Sequence, residues 1–278
     1  MKIFFLIRNW FNFCTFRFPM KNTYILFCIL LTISAFGQET IDISLLKKID
    51  LTDRTIIDID NFDTQYYLNN HIFYKKDADK TINYSNVQLG EITSANAFNP
   101  LKINVFYKDF NTAIILDNRL AEIFRIDFNT TKPYKSVSQI TTGNDNTLWI
   151  FNQDTQQLEV YDYKTNKTKA TTLPIQSSVL DLKSNFNFCW LLTEKYLYKY
   201  NYFGSLTQKI KNEGFTNIEE DNGNLILKKE NTLYFLKKNT EDIIKVKTPN
   251  LLINQFLLTN ETLYIYHEKI LSKFQLKN

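Results

Sequence analysis

Short apolar runs separated by polar turns recur along most of the chain. The clearest set lies between residues 98 and 128 and comprises Ile103–Tyr107, Ala113–Leu116 and Glu122–Phe128. The segments between these runs are short and rich in Asp and Asn, which is typical of strands joined by turns. Beyond Gln38 no stretch shows a sustained helical period. The pattern therefore predicts an all-β fold.

The strands repeat at a nearly constant spacing. When the paired strands are superposed, Trp149, Trp190, Leu227 and Tyr264 occupy equivalent positions, with separations of 41, 37 and 37 residues. A repeat of about forty residues is the length of a four-stranded propeller blade. We predict a β-propeller of about six four-stranded blades. The alternative is a β-sandwich with additional hairpins.

The last repeat is one strand short. It contains only the runs Leu251–Leu258, Leu263–Tyr266 and Ile270–Leu276, whereas Ile41–Leu51 is a spare strand far upstream. A ring that borrows this strand for its last blade has no free edge there. We therefore predict that the N-terminal strand closes the ring.

The segment Met20–Gly37 has the composition of a secretory signal peptide. Lys21 precedes the apolar run Tyr24–Ile33, and Ala35-Phe36-Gly37 provides a small-residue cleavage site. The apolar run has about half of the ~20 residues that a membrane-spanning helix needs. We predict that the true start is Met20, that residues 1–37 are absent from the mature protein, and that residues 38–278 form a single propeller domain.

Charge and cysteine content narrow the possible partners. Residues 1–37 contain four of the 33 basic residues and no acidic residue, so residues 38–278 contain 29 basic and 29 acidic side chains. A neutral chain gives no support for nucleic acid as a partner.

Cys189 is the one cysteine beyond Gly37 and lies in an apolar run. We expect a buried thiol and no disulfide within the mature chain.

The residues provide few signs of catalytic chemistry. The glycines are isolated, so no phosphate-binding loop is predicted, and His71 and His267 lie in different repeats without metal-ligand spacing. Several carboxylates are formal acid–base candidates, but local hydrogen bonding to the backbone of their turns is enough to explain them. These are Asp58, Asp60, Asp63, Asp117 and Asp154. We expect a protein that is not an enzyme and uses no cofactor or metal.

One stretch resembles a known group of proteins. The segments Asn99–Lys102, Phe106–Thr112 and Ile115–Arg119 resemble a family of exported, propeller-like proteins from Gram-negative bacteria that possess type 9 secretion. The resemblance implies a non-enzymatic, periplasmic interaction protein, peripheral to the outer membrane and without a transmembrane segment. Its implied partner is a protein, namely an outer-membrane or secretion component. The alternative is a secreted carbohydrate-binding or carbohydrate-active propeller, which requires carboxylates and exposed aromatic side chains to converge at one mouth of the ring.

The turns of this stretch are the predicted partner contacts. Strand burial does not account for residue choice in turns, and binding residues are often found in loops on a rigid scaffold. The predicted contact residues are Asn99, Pro100, Asp109, Phe110, Asn111, Asp117, Asn118 and Arg119.

Overall fold

The computed structural model describes residues 39–51 and 54–277. The predicted leader, residues 1–37, lies outside this part of the chain. The described residues form twenty-four β-strands and two short 3-10 helices, Val87–Leu89 and Phe128–Thr130. The strands are β1 (Thr40–Asp50), β2 (Thr55–Ile59), β3 (Gln65–Asn69), β4 (Ile72–Lys76), β5 (Thr81–Tyr84), β6 (Ser94–Asn96), β7 (Ile103–Tyr107), β8 (Thr112–Leu116), β9 (Glu122–Asp127), β10 (Val137–Thr142), β11 (Thr147–Asn152), β12 (Gln157–Asp162), β13 (Lys167–Thr171), β14 (Val179–Ser184), β15 (Phe188–Thr193), β16 (Tyr196–Asn201), β17 (Leu206–Lys211), β18 (Asn217–Asp221), β19 (Asn224–Lys229), β20 (Thr232–Leu236), β21 (Ile243–Lys247), β22 (Gln255–Thr259), β23 (Thr262–His267) and β24 (Ile270–Lys277).

The strands form antiparallel groups of four, which we call blades 1 to 6. Strands β2 to β17 form four separate four-stranded sheets. The remaining strands form one eight-stranded sheet, in which β18 to β21 make blade 5 and β22 to β24 with β1 make blade 6. The first strands of successive blades (β2, β6, β10, β14, β18 and β22) contact one another in turn, and β22 contacts β2. This ring of first strands makes the fold a β-propeller, as the repeat predicted.

The N-terminal strand completes the last blade. Strand β1 pairs antiparallel with β24 from Asp42 opposite Lys277 to Asp50 opposite Ile270. Its first three residues also pair in parallel with the outermost strand of blade 5, where Thr40 lies opposite Lys245. The predicted closure is therefore confirmed, and β1 in addition joins the outer edges of two blades.

Apolar side chains are buried between neighbouring blades rather than at the centre of the ring. Trp149 packs in the cluster between blades 3 and 4, and Trp190 packs in the cluster between blades 4 and 5. Every residue of β7 and of β11 is buried. A strand that is covered on both faces needs apolar residues at consecutive positions, which explains why the second strand of each repeat is so apolar. Cys189 is buried in the same cluster as Trp149, as predicted.

Antiparallel strands place alternate turns at the same end of the ring. The loops from the first to the second strand of each blade therefore share one end with the turns from the third to the fourth strand. We call this end the AB face. Its first-to-second-strand loops are residues 60–64, 97–102, 143–146, 185–187, 222–223 and 260–261.

Candidate functional site

Neighbouring loops of the AB face are tied to one another. The bonds join Lys102 Nζ to the carbonyl of Asp145 (2.7 Å), Asn144 Nδ2 to the carbonyl of Phe186 (3.3 Å) and Asn185 Nδ2 to Glu220 Oε1 (2.7 Å). These bonds run from blade 2 to blade 5. Loops held in this way present a largely preformed surface, as ligand sites generally do.

A cavity of about 240 Å³ lies on the axis of the ring. It is lined by residues of the first strands of blades 1, 2, 4, 5 and 6, and Asn61, Phe98 and Pro100 from two AB-face loops also line it. The cavity therefore opens at the AB face. Its charged lining consists of five carboxylates and one ammonium group, namely Asp58, Asp60, Glu219, Glu220, Asp221 and Lys183.

Lys183 and Glu219 form an ion pair across the boundary between blades 4 and 5. Lys183 Nζ lies 2.7 Å from Glu219 Oε1, and both side chains are largely buried. Burial alone would lower the pKa of Lys183, but the carboxylates of Glu219 and Asp181 outweigh it and raise that pKa. Burial raises the pKa of Glu219 to about 7, against the attraction of Lys183. The one ammonium group of the cavity is thus already paired.

Two further carboxylates of the cavity also hold their protons unusually tightly. Burial raises the pKa of Asp58 to about 6, although the Ile59 amide donates to Asp58 Oδ1 at 2.8 Å. Burial also raises the pKa of Glu220 to about 6, although this carboxylate accepts from Asn185 and from the Gly223 amide. Carboxylates whose pKa is raised by burial, grouped in a cleft, are typical of functional sites.

Asp60 has a different role at the same opening. Its Oδ1 accepts from the amides of Phe62 and Thr64, each at 2.9 Å, and its Oδ2 accepts from the Tyr66 hydroxyl at 3.4 Å. These bonds fold the loop 60–64 back on itself, in the way that Asp commonly shapes a turn. Asp60 therefore fixes the loop that carries Phe62.

Large apolar side chains are exposed around the opening. Phe62 is 90% exposed, Leu101 65% and Phe186 44%. The Phe186 ring meets the ring of Phe98 edge to face, with 4.8 Å between their centroids, and Phe98 also lines the cavity. We call Phe62, Phe98, Leu101 and Phe186 the apolar rim. Exposed apolar side chains grouped around a polar cavity are typical of an interaction surface.

The predicted contact residues fall on two ends of the ring. Asn99 and Pro100 lie in the AB-face loop of blade 2, and Pro100 lines the cavity. The turn Asp117–Arg119 joins the third and fourth strands of that blade and so shares the AB face, whereas Asp109–Asn111 joins the second and third strands at the opposite end. A partner at one end of the ring therefore reaches only part of this set.

Two of the predicted contacts already have structural roles. Asn111 is buried with φ of 47°, and its side chain donates to the Lys135 carbonyl at 2.7 Å and accepts from the Val137 amide at 3.0 Å. Asp117 Oδ1 accepts from the amide of Arg119 at 2.8 Å, which caps its own turn. These hydrogen bonds account for both residues without a partner.

Sequence reasoning missed most of the charged residues of the cavity. Of the carboxylates considered as acid–base candidates, Asp58 and Asp60 line the cavity, whereas Asp63, Asp117 and Asp154 do not. Lys183 and Glu219 were not considered. A signal for them was present, because the first strands of three repeats read IIDID, LDLKS and NIEED, with charged residues close to apolar ones. Such a first strand turns one face toward the axis.

The two histidines lie elsewhere. His71 Nδ1 is 3.2 Å from Glu91 Oε1 at an exposed position, and His267 is buried with its Nε2 3.1 Å from Ser272 Oγ. Within residues 39–51 and 54–277, no three His, Cys, Asp or Glu side chains are grouped so as to hold a metal ion. In the same residues no helix is long and apolar enough to cross a membrane.

The fold and the site together define a β-propeller with an acidic axial cavity and an apolar rim at one mouth. No protein-family model matches the chain, and no curated protein matches its sequence. Solved structures do share its fold. Virginiamycin B lyase from Staphylococcus aureus superposes with a TM-score of 0.57 at 12% identity, over 84% of this chain and 100% of that chain.

Two other solved structures share the fold. A chain of a mitotic checkpoint complex has a TM-score of 0.56 at 11% identity, over 84% of this chain and 96% of that chain. PorZ, an essential surface component of the type-IX secretion system of Porphyromonas gingivalis, has a TM-score of 0.51 at 12% identity, over 81% of this chain and 32% of that chain. Likeness at these identities establishes the propeller fold, which by itself selects no function.

Proposed function

We propose that this protein is an exported, non-enzymatic propeller that docks on a protein partner through its AB face. The observation that carries the proposal is the apolar rim around the mouth of the axial cavity. Phe62 is 90% exposed on a loop that Asp60 holds in place. Large apolar side chains on rigid loops supply the contact area that binding requires, at low entropic cost.

The hydrogen bonds of the carboxylates at the mouth of the cavity favour a binding role over a catalytic one. Asp60 and Glu220 each accept hydrogen bonds from backbone amides. A carboxylate that holds loop backbone in this way organises the site and is poorly placed to exchange protons with a substrate. These groups serve to build the surface.

More specifically, we propose that the partner is a component of the type 9 secretion machinery. The segment 99–119 resembles exported propellers of bacteria with that system, and PorZ, a surface component of such a system, has the same fold. The chain would then act at the periplasmic side of the outer membrane. The narrowest version gives it the role of the subunit that plugs the periplasmic mouth of the translocon.

The proposal is tested by affinity isolation from detergent-solubilised outer membranes of the source bacterium. Three baits are compared, the first of which is the unchanged mature chain. The rim variant carries Phe62→Ser and Leu101→Ser. The opposite-end variant carries Phe110→Ser and Tyr134→Ser, two exposed residues at the other end of the ring. We expect the unchanged chain and the opposite-end variant to retain one stoichiometric partner that the rim variant loses. Retention by the rim variant, or no partner on the unchanged chain, would contradict docking through the AB face.

The carbohydrate alternative has one specific observation in its favour. Asp58 and Glu219, whose pKa values are raised by burial, line a cavity beside the exposed ring of Phe186 at the same mouth. Carboxylates and aromatic side chains converge in this way in many sugar sites. A glycan array and a reducing-sugar assay with the mature chain test this reading. Binding or hydrolysis that disappears in Asp58→Asn would favour it over protein docking.

A further inference from the structure

We propose that the mouth of the AB face receives a basic side chain, Lys or Arg, from the docked partner. In this arrangement the apolar rim packs against the partner segment, and the axial cavity takes the cationic head. The inference rests on the proposed docking function and specifies the chemistry of its partner.

The charge balance of the cavity favours a cation. Five carboxylates line it, and Lys183, its one ammonium group, is already paired with Glu219 at 2.7 Å. Charge complementarity is the main source of specificity at an interface. Anionic partners such as acidic lipid headgroups or nucleic acid would be repelled from this mouth.

Asp58 has capacity to accept a further hydrogen-bond donor. In the part of the chain that the structure describes, its side chain is held by one hydrogen bond, from the adjacent Ile59 amide to Oδ1. By contrast, Asp60 and Glu220 each accept two or more bonds from the loops around them. A carboxylate can accept about four hydrogen bonds, so Asp58 has unused acceptor sites beside the cavity.

The shape of the opening suits a long side chain with a charged tip. The rim residue Phe98 and its neighbour Pro100 both line the cavity, so apolar surface leads directly to the acidic interior. Lys and Arg have apolar stems that pack on such surface while the head reaches a polar site. A cation beside the Phe98 ring would gain a further favourable contact. A metal ion would use neither feature.

The inference is tested with labelled peptides and the mature chain. The peptides are Gly-Ser-Phe-Xaa-Ser-Gly amides in which Xaa is Arg, Lys, citrulline or norleucine, and binding is followed by fluorescence anisotropy. We expect the Arg or Lys peptide to bind about tenfold more tightly than its neutral counterpart, because a charge-assisted hydrogen bond is lost in the latter. The preference should weaken as salt concentration rises.

The variants locate the cationic head. Asp58→Asn should abolish most of the preference for the basic peptide, whereas Asp79→Asn, an exposed carboxylate in the turn 77–80 of the same blade, should leave it unchanged. Glu220→Gln is the second test, because it removes charge from the cavity while keeping an acceptor for Asn185 and Gly223. Thermal melting of each variant establishes that it is folded.

The outcomes separate this inference from the proposed function. Equal binding of basic and neutral peptides, or a preference that survives in both cavity variants, would overturn the inference. If the rim variant still loses its membrane partner in that case, docking through the AB face stands. Binding to neutral phosphatidylcholine vesicles without peptide preference, or self-association of the chain abolished by Phe62→Ser, would assign the rim to lipid or to a second copy and would also overturn it.

Discussion

Asp58→Asn should make the folded protein more stable at neutral pH. Burial raises the pKa of Asp58 from 3.8 to about 6. The folded state therefore holds this proton more tightly than the unfolded state does, so stability falls as pH rises from about 4 to about 6 and stays reduced above that range. An Asn side chain has no proton to lose and avoids this penalty.

The size of the effect follows from the pKa values. Each pH unit corresponds to about 1.4 kcal/mol, so a rise from 3.8 to about 6 corresponds to about 3 kcal/mol. The Asp58 side chain retains some contact with solvent, which reduces the expected gain to about 2 kcal/mol. For a chain of this size that gain corresponds to a rise of about 4 to 8 °C in Tm.

Urea unfolding at about pH 8 and about pH 4 tests this prediction. The variant should exceed the unchanged chain in unfolding free energy at the higher pH and match it at the lower pH. Asp79→Asn provides the matched control, because Asp79 is exposed and its replacement should change stability by less than about 0.5 kcal/mol. A loss of stability in Asp58→Asn at about pH 8, or the same difference at both pH values, would refute the reasoning.

Three further predictions concern the scaffold. Ile41→Ser should lower the free energy of unfolding in urea by about 2 to 4 kcal/mol, because Ile41 is buried where β1 closes the ring. Leu46→Ser, on the exposed part of β1, should lower it by less than about 0.5 kcal/mol, and similar costs for the two variants would contradict a closing role for β1. Asn111→Ala should cost about 2 to 4 kcal/mol, measured in the same way, because it orphans the Lys135 carbonyl and Val137 amide in a buried turn; an unchanged midpoint would count against that role. Lys135→Met should lower the free energy of unfolding by about 3 kcal/mol at neutral pH, because it leaves the Glu159 carboxylate buried without the ammonium group that lies 2.6 Å away. Adding Glu159→Leu should restore most of the loss; failure of that rescue would show that the Lys135 side chain stabilises the fold mainly through packing.

The scaffold was largely predictable because its constraints are local and repeated. Each blade must cover its neighbour, so a large apolar side chain recurs at the same point of each repeat, as at Trp149 and Trp190. The last repeat has only three strand-like runs in the sequence, and the unassigned run near residue 41 forms β1, which supplies the fourth strand. These features depend on strand length, alternation and edge pairing, which a sequence displays directly.

The site was much less predictable because it forms only when the ring closes. Asp58 belongs to blade 1, whereas Lys183 and Glu219 belong to blades 4 and 5, and more than a hundred residues separate the first from the other two. In sequence each is a charged residue beside apolar ones, a pattern that also describes an exposed strand. Burial on the axis, which gives these groups their altered pKa values, is a property of the closed ring.

Turn composition also fails to separate contacts from scaffold. Asn111 and Asn118 occupy turns of the same blade, yet Asn111 is buried and bonds to neighbouring backbone, whereas Asn118 is exposed. Asn is favoured in tight turns because it tolerates a positive φ and bonds to nearby backbone. The residue type therefore reports the shape of the turn, and its role depends on what the next blade places beside it.

Ionisation of the axial carboxylates should have opposite effects on the stability of the fold and on the proposed binding of a cation. Loss of the proton from Asp58 weakens the fold, but the same event creates the negative charge that a Lys or Arg head requires. The charged groups that act on Asp58 include Lys183, Asp60, Asp221 and Glu219. As pH rises from about 4 to about 6, ionisation of Asp58 should therefore lower stability, while affinity for a basic peptide rises as the folded protein loses this proton near pH 6. A purely structural cluster would show only the first trend, so the opposite slopes distinguish a binding site from an incidental group of buried acids.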